Sequence, residues 1–264
     1  MNFLNKIIAT KREEITRDRK QKPIAMLEKS KFFEKKHHSL VQNLQKNDTG
    51  IIAEFKRKSP SKGIINDQII VEAVASGYET AGVSGMSVIT DIEHFGAQDE
   101  DLPIARRSIS IPILCKDFII DEYQLIAAKA MGVDIILLIA EVLSKKMIKN
   151  LANQAKALGL EVLMELHSEE ELDKITDNID LIGVNNRDLK TFSVNIERSV
   201  RLFPKIPDNF IKISESGISK PENIIYLREV GFQGFLIGEN FMRSSDPGES
   251  CKAFIRQLKK SISV

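Results

Sequence analysis

Several short stretches of this chain set acids and bases at alternating positions. In Ile51-Ile-Ala-Glu-Phe-Lys56, residues Ile52, Glu54 and Lys56 share one face of an extended segment, because strand side chains alternate with period two. By the same rule Ile113-Leu-Cys-Lys-Asp-Phe118 groups Leu114, Lys116 and Phe118, and Val162-Leu-Met-Glu-Leu-His167 groups Leu163 and Glu165. Leu181-Ile-Gly-Val-Asn-Asn-Arg187 puts Asn185 and Arg187 in one register. A positioned ammonium can protonate or stabilise a developing alkoxide, a carboxylate can take up a proton, and a guanidinium fork can hold a substrate carboxylate bidentately. Burying such charges in strands that should be apolar is costly, so their presence points to chemistry more than to an internal ion pair. His167 reads as a solvated loop residue. Ser214-Glu-Ser-Gly-Ile-Ser219 and Gly234-Phe-Leu-Ile-Gly-Glu-Asn240 end in glycine turns, where Gly217 and Gly238 let backbone N–H groups approach an anion; a phosphorylated ligand follows.

Something must hold these residues around one cavity. From Ile51 onward, β-branched runs start near Ile51, Ser84, Ile111, Val133, Leu160, Ile179, Phe210 and Gly234, at separations of 19 to 33 residues. Each interval accommodates a strand, a crossover helix and two loops. Helical punctuation fills the gaps: apolar periodicity from Gln124 to Met131, an N-cap at Ser144 with a stop at Gly159, and Pro221 just inside a helix start. Eight βα units predict an α/β fold of the closed (β/α)8 barrel kind, with the reactive groups at the C-terminal strand ends; a doubly wound open sheet is the competing architecture. Residues 1–48 break the alternation. Leu4, Ile7, Ile8 and Ile15 recur at helical intervals, which predicts a helical extension packed on the barrel, with the charged run Lys29–His38 as a solvated face. The expected organisation is therefore an extension, 1–48, and a catalytic barrel, 49–264, forming one structural domain.

Composition narrows the partners. Of 264 residues, 42% are hydrophobic and 28% charged, enough apolar material for a large core, and the 38 basic and 37 acidic side chains nearly cancel. No global field attracts nucleic acid or an anionic membrane, so an anion site must be built locally. Lys6 interrupts the first apolar stretch and no small-residue cleavage site follows, so no secretory signal is expected. Cys115 and Cys251 provide neither a disulfide framework nor a zinc set; they read as buried small hydrophobes of a reducing, cytoplasmic compartment.

The long motif Ile51-Ile-Ala-Glu-Phe-Lys-Arg-Lys-Ser-Pro-Ser-Lys-Gly63 resembles the signature of the indole-3-glycerol phosphate synthases. Leu114-Cys-Lys-Asp-Phe118, Glu161–His167, Gly183–Leu189, Ser214–Ile218 and Leu236–Glu239 follow in that family's order, so the resemblance spans about residues 50–250. It implies a lyase of tryptophan biosynthesis that closes, decarboxylates and dehydrates a phosphorylated anilino-sugar without redox change, and hence without nicotinamide, flavin or metal. It also implies Lys116 as general acid, with Glu54, Lys56, Glu165 and Asn185 completing the catalytic group. Ser59, Phe95, Phe118, Leu137, Arg187 and Leu189 would shape the substrate pocket. Glu215 and Ser216 would approach the sugar, and Gly217, Gly238 and Glu239 the phosphate. The segment His94–Asp99 departs from the family pattern, which has a Ser or Thr near Asp99. A monomer or weak homo-oligomer is expected. The competing readings are phosphoribosylanthranilate isomerase, which uses a cysteine base where this chain has Glu54 and Lys56, and a catalytically silent barrel, which would lack the polar strand ends.

Overall fold

The β-branched runs pair side by side because most are apolar on both faces, as suits strands buried between a packed interior and covering helices. In the computed structural model, which describes residues 3–35 and 37–262, they form β1 (Ile51–Phe55), β2 (Gly85–Ile89), β3 (Ile113–Lys116), β4 (Ile135–Ile139), β5 (Glu161–Leu166), β6 (Leu181–Asn185), β7 (Ile211–Glu215) and β8 (Gly234–Ile237). All neighbours are parallel and β8 pairs with β1, so the sheet is a closed (β/α)8 barrel and not an open one. Six strands begin one or two residues after the expected start; at β3 the cause is Pro112, which has no N–H for the ladder.

Alternation along the strands separates two cores. Outward residues such as Ala53, Val88, Cys115, Leu138, Met164, Val184 and Phe235 pack beneath the helices. Inward residues Ile52, Leu114, Ile135, Leu163, Leu181, Ile211, Ile213 and Leu236 fill the lower barrel. Cys115 and Cys251 are both buried and unpaired. The covering helices are α4 (Val71–Ala81), α6 (Asp101–Ser108), α7 (Glu122–Met131), α8 (Lys145–Ala157), α9 (Glu197–Leu202), α10 (Pro221–Val230) and α12 (Pro247–Ile262), with one-turn helices α5 (Ile92–Phe95) and α11 (Glu239–Met242) at the mouth. Helix α7 starts two residues before the expected Gln124, because Asp121 and Gln124 form a reciprocal capping box. The predicted caps at Ser144 and Pro221 are present. Between β5 and β6, the shortest interval, the chain makes only a 3₁₀ helix, Glu169–Lys174, in place of the expected crossover α-helix. No helix among the described residues is long and apolar enough to cross a membrane.

Ahead of the barrel lie α1 (Phe3–Gln21), α2 (Ile24–Leu27) and α3 (Leu40–Lys46). Helix α1 lies across the mouth, burying Leu4, Ile7 and Ile15, with Ile8 half-buried. The chain then descends beside α7: Tyr123 Oη donates to the Lys22 carbonyl, and Ser30 Oγ to the Ala130 carbonyl. Helix α3 closes the opposite end, where Leu40 and Leu44 join the inner core. Its start is tied to Glu161, whose carboxylate accepts from the Ser39 hydroxyl and from the Leu40 N–H at 2.8 Å. In the run Lys29–His38, Lys31, Glu34 and Lys35 are exposed as expected, whereas the His38 N–H is held by Asp134 at 2.6 Å; Lys36, like residues 1, 2, 263 and 264, lies outside the described residues.

Candidate active site

Above the apolar layers, the inward positions change character. Ile52, Leu114, Leu163 and Ile213 give way, two residues further along the same strands, to Glu54, Lys116, Glu165 and Glu215, and β6 contributes Asn185. Period-two alternation thus aims three carboxylates, an ammonium and an amide at one point on the barrel axis. Lys116 Nζ lies 2.7 Å from Glu165 Oε2 and 3.4 Å from Glu215 Oε2, and Lys56 Nζ is 2.7 Å from Glu54 Oε1. Two glycines make this crowding feasible: a Cβ on Gly183 would fall on the Glu215 carboxylate, and one on Gly238 would fall on Glu54.

The two axial glutamates hold protons differently. Burial pushes both upward, but Lys116 at 2.7 Å pulls Glu165 below the usual carboxylate range, whereas Glu215, more weakly paired and facing the charge of Glu165, is pushed up to about 8. Lys116 is raised: burial alone would lower it, and Glu165, Glu215 and Glu54 outweigh that. At neutral pH the trio therefore comprises a carboxylate, an ammonium and a neutral carboxylic acid. Groups pushed apart in this way are suited to separate base and acid roles.

A cleft opens over this trio. On one side Phe95 and Phe118, with ring centroids 6.4 Å apart, join Leu137, Ile139 and Leu189 in an apolar slot that Leu4 and Ile7 of α1 also line. Ser59, near a short hairpin pairing Lys58–Ser59 with Gly63–Ile64, borders the same slot. On the other side the cleft is polar, lined by Ser216, Gly217, Gly238, Glu239, Lys62 and Arg243. Ser216 and Gly217 both have positive φ, 69° and 80°, so the chain turns sharply there. Arg187 spans the two halves; its guanidinium donates to Ser61 Oγ at 3.3 Å and lies 3.6 Å from Glu239. The Asn185 side chain accepts the Arg187 N–H at 3.0 Å.

Every expected site residue therefore borders one of the two halves or the axial trio, and one residue outside that set, His167, sits differently from the sequence reading. Glu215 lies inside the barrel beside Lys116 and also lines the polar half. The Glu239 side chain pairs with Arg187 and Arg243 at the edge of that half. His167 is not solvated: its side chain is 6% exposed, with Nε2 3.3 Å from Glu165. Sequence reasoning also missed Lys11. This lysine, 3% exposed, reaches from α1 to Asp117 at 2.9 Å and Asp91 at 3.2 Å. In a lysine-rich amphipathic helix it is indistinguishable from its solvated neighbours. Lys62 and Arg243 were missed because cations on loops carry no periodic signal.

A sequence model described as indole-3-glycerol phosphate synthase matches residues 4–258, nearly the whole chain. The chain belongs to the indole-3-glycerol phosphate synthase family. Relatives of that name include proteins of Bacteroides thetaiotaomicron, 45% identical over 98% of this chain and 99% of the relative, and of Dechloromonas aromatica, 42% identical over 94% and 96%. The protein of Salinibacter ruber is 38% identical over 98% of this chain and 97% of its own. Membership makes the chain a carboxy-lyase of tryptophan biosynthesis by family.

Proposed function

We propose that this barrel converts 1-(2-carboxyphenylamino)-1-deoxyribulose 5-phosphate into indole-3-glycerol phosphate, and that the axial trio and the cleft above it are its active site. The observation that carries this reading is a lysine ammonium held on the barrel axis between two buried glutamates, 2.7 and 3.4 Å away, at the edge of an aromatic slot. The anilino ring fits the Phe95, Phe118 and Leu189 side of the cleft. The phosphate fits the Gly217 and Gly238 turns beside Lys62 and Arg243, and the ring carboxylate suits Arg187. Anchoring both ends holds the ring carbon against the ketone.

In ring closure Lys116 donates a charge-assisted hydrogen bond or its proton to the ketone oxygen as the new C–C bond forms. Carbon dioxide then leaves from the ring carbon that bore the carboxylate. Dehydration needs a base for the ring proton and an acid for the departing hydroxyl. Glu165, ionised, suits the first role; Lys56, held by Glu54, and the neutral Glu215 suit the second. Asn185 and Ser59 bracket the sugar, with Ser216 on the phosphate side. We further propose that residues 1–48 complete this site as part of one structural unit with the barrel, since Phe3, Leu4 and Ile7 of α1 line its apolar side.

Incubating the pure chain with the anilino-sugar phosphate should produce indole fluorescence. Lys116→Met, which keeps length and packing, should lose kcat/KM by at least about 10²-fold with much smaller change in substrate affinity. A structural lysine would instead lower Tm and leave near-normal turnover in the folded fraction, and that outcome would refute the assignment.

A further inference from the structure

His167 lies just past the end of β5, and its imidazole is enclosed between carboxylates from two strand ends. Nε2 is 3.3 Å from Glu165 Oε1, and Nδ1 is 3.9 Å from Glu141 Oε2 in the loop after β4. The His167 N–H donates to Glu171 Oε2 of the 3₁₀ helix at 2.7 Å. Neither ring nitrogen completes a hydrogen bond of good geometry, so this buried ring is compensated chiefly by the fields of its acidic neighbours. The other charges around it are accounted for: Lys190, from the loop after β6, is 3.1 Å from Glu141, and Lys174 is spent on the carbonyls of Ala140 and Leu143. Beyond Glu165 come Lys116 and Glu215. Acid, imidazole, acid, ammonium and acid thus succeed one another from the barrel rim to its axis.

We propose that His167 is a positioning residue for the ring-closing reaction: through Nε2 it holds the Glu165 carboxylate turned toward Lys116 and adds positive field on the side away from the substrate. The proposal rests on the active-site reading above. Glu165 has two oxygens, and the two contacts divide them: Oε2 faces Lys116 and Oε1 faces His167. Without the ring, Oε1 would face a buried gap and the carboxylate would be free to rotate off the ammonium. The low proton affinity of Glu165 fits this arrangement, since Lys116 and then His167 offset the effect of burial. A divalent cation is the competing occupant, because one ligand atom each from Glu141, His167 and Glu171 lies within 4.8 Å of the others. The positioning role is favoured because Lys190 already neutralises Glu141, Glu171 already accepts the His167 amide, and Nε2 approaches Glu165 at 3.3 Å.

The test is the pH profile of kcat/KM, followed by indole fluorescence, for wild type, His167→Asn and Glu141→Gln. Asparagine at 167 should lower kcat about tenfold and leave KM within about twofold. It should also move the ascending acid limb upward by about one pH unit, because a base deprived of a nearby favourable field holds its proton more tightly. Glu141→Gln, which only removes a negative charge beyond the ring and frees Lys190, should move that limb slightly the other way, because an acid gives up its proton more readily once a nearby carboxylate is gone; His167→Gln carries the test should asparagine fail to fold. An acid limb unmoved in the folded variants, with active wild type, would overturn this inference alone. Wild type that makes no fluorescent product would overturn it together with the proposed reaction. A stoichiometric divalent metal in the purified protein, with activity lost to chelator and restored by zinc, would overturn it in favour of a cation site.

Discussion

Two glutamates of one chemical type do different work here because of less than an ångström: Glu165 is 2.7 Å from Lys116 and Glu215 is 3.4 Å away. The proton held by Glu215 has a thermodynamic consequence. Its carboxyl is raised from 4.5 to about 8 by burial, so between those values the folded chain keeps a proton that the unfolded chain has released. The associated stability is complete below about pH 4.5 and is lost as pH rises through about 8. Glu215→Gln, neutral at every pH, removes this dependence. Its Tm relative to wild type should be flat in the acid range and climb steadily from about pH 5 to about pH 8. Parallel Tm curves for the two proteins would show that Glu215 is ionised throughout. Which residues face the axis was legible in the sequence, because period two puts Glu54, Lys116, Glu165 and Asn185 in register with apolar neighbours. Which carboxylate keeps the proton was not, since it depends on separations between strands 49 residues or more apart along the chain.

At the scale of elements, α1 behaves as part of the site wall, and one side chain fastens it. Lys11 joins Glu14 on its own helix to Asp91 after β2 and Asp117 after β3, the latter flanked by Lys116 and Phe118. Replacing Lys11 by Met would leave Asp91, 1% exposed, without its cation. Losing one partner of a buried pair costs about 3–5 kcal/mol. Lys11→Met should therefore destabilise the protein by about that amount and raise KM as Leu4 and Ile7 withdraw from the cleft. Wild-type values of both Tm and KM would show that Lys11 is dispensable and that the remaining contacts of α1, its apolar stripe and the Arg19–Asp121 pair among them, hold the helix. The apolar stripe of α1 was visible in the sequence; its polar fastening was not, because the partners lie 80 and 106 residues downstream.

Across the whole molecule, the two ends of the barrel divide their labour. Chemistry-bearing groups gather at the C-terminal strand ends, and the opposite end carries anchors: Glu161 under α3, and Asp134 bound by Arg106 at 2.8 Å and by the His38 amide. Glu161→Gln keeps the shape but loses a charged acceptor for the Ser39 hydroxyl and the Leu40 N–H. It should cost about 1–3 kcal/mol of stability and leave kcat/KM, measured well below Tm, unchanged. A fall in kcat/KM at constant fold would mean that the ends are coupled. Strand count made the closed barrel legible, whereas the route of residues 22–46 down its flank was not, because that segment is held by isolated contacts and lacks a repeating pattern.

That route also bears on how the protein is made. Ser39 and Leu40 bind Glu161, which lies 122 and 121 residues later, and Leu4 and Ile7 need Leu137 and Leu189 before they can be covered. At a synthesis rate of about 5–20 residues per second, the interval before Glu161 is made is roughly 6–24 s. Throughout it, α1 displays its apolar stripe to solvent and to other nascent chains. The helix that covers the finished site thus stays uncovered until the strands that receive it have been made.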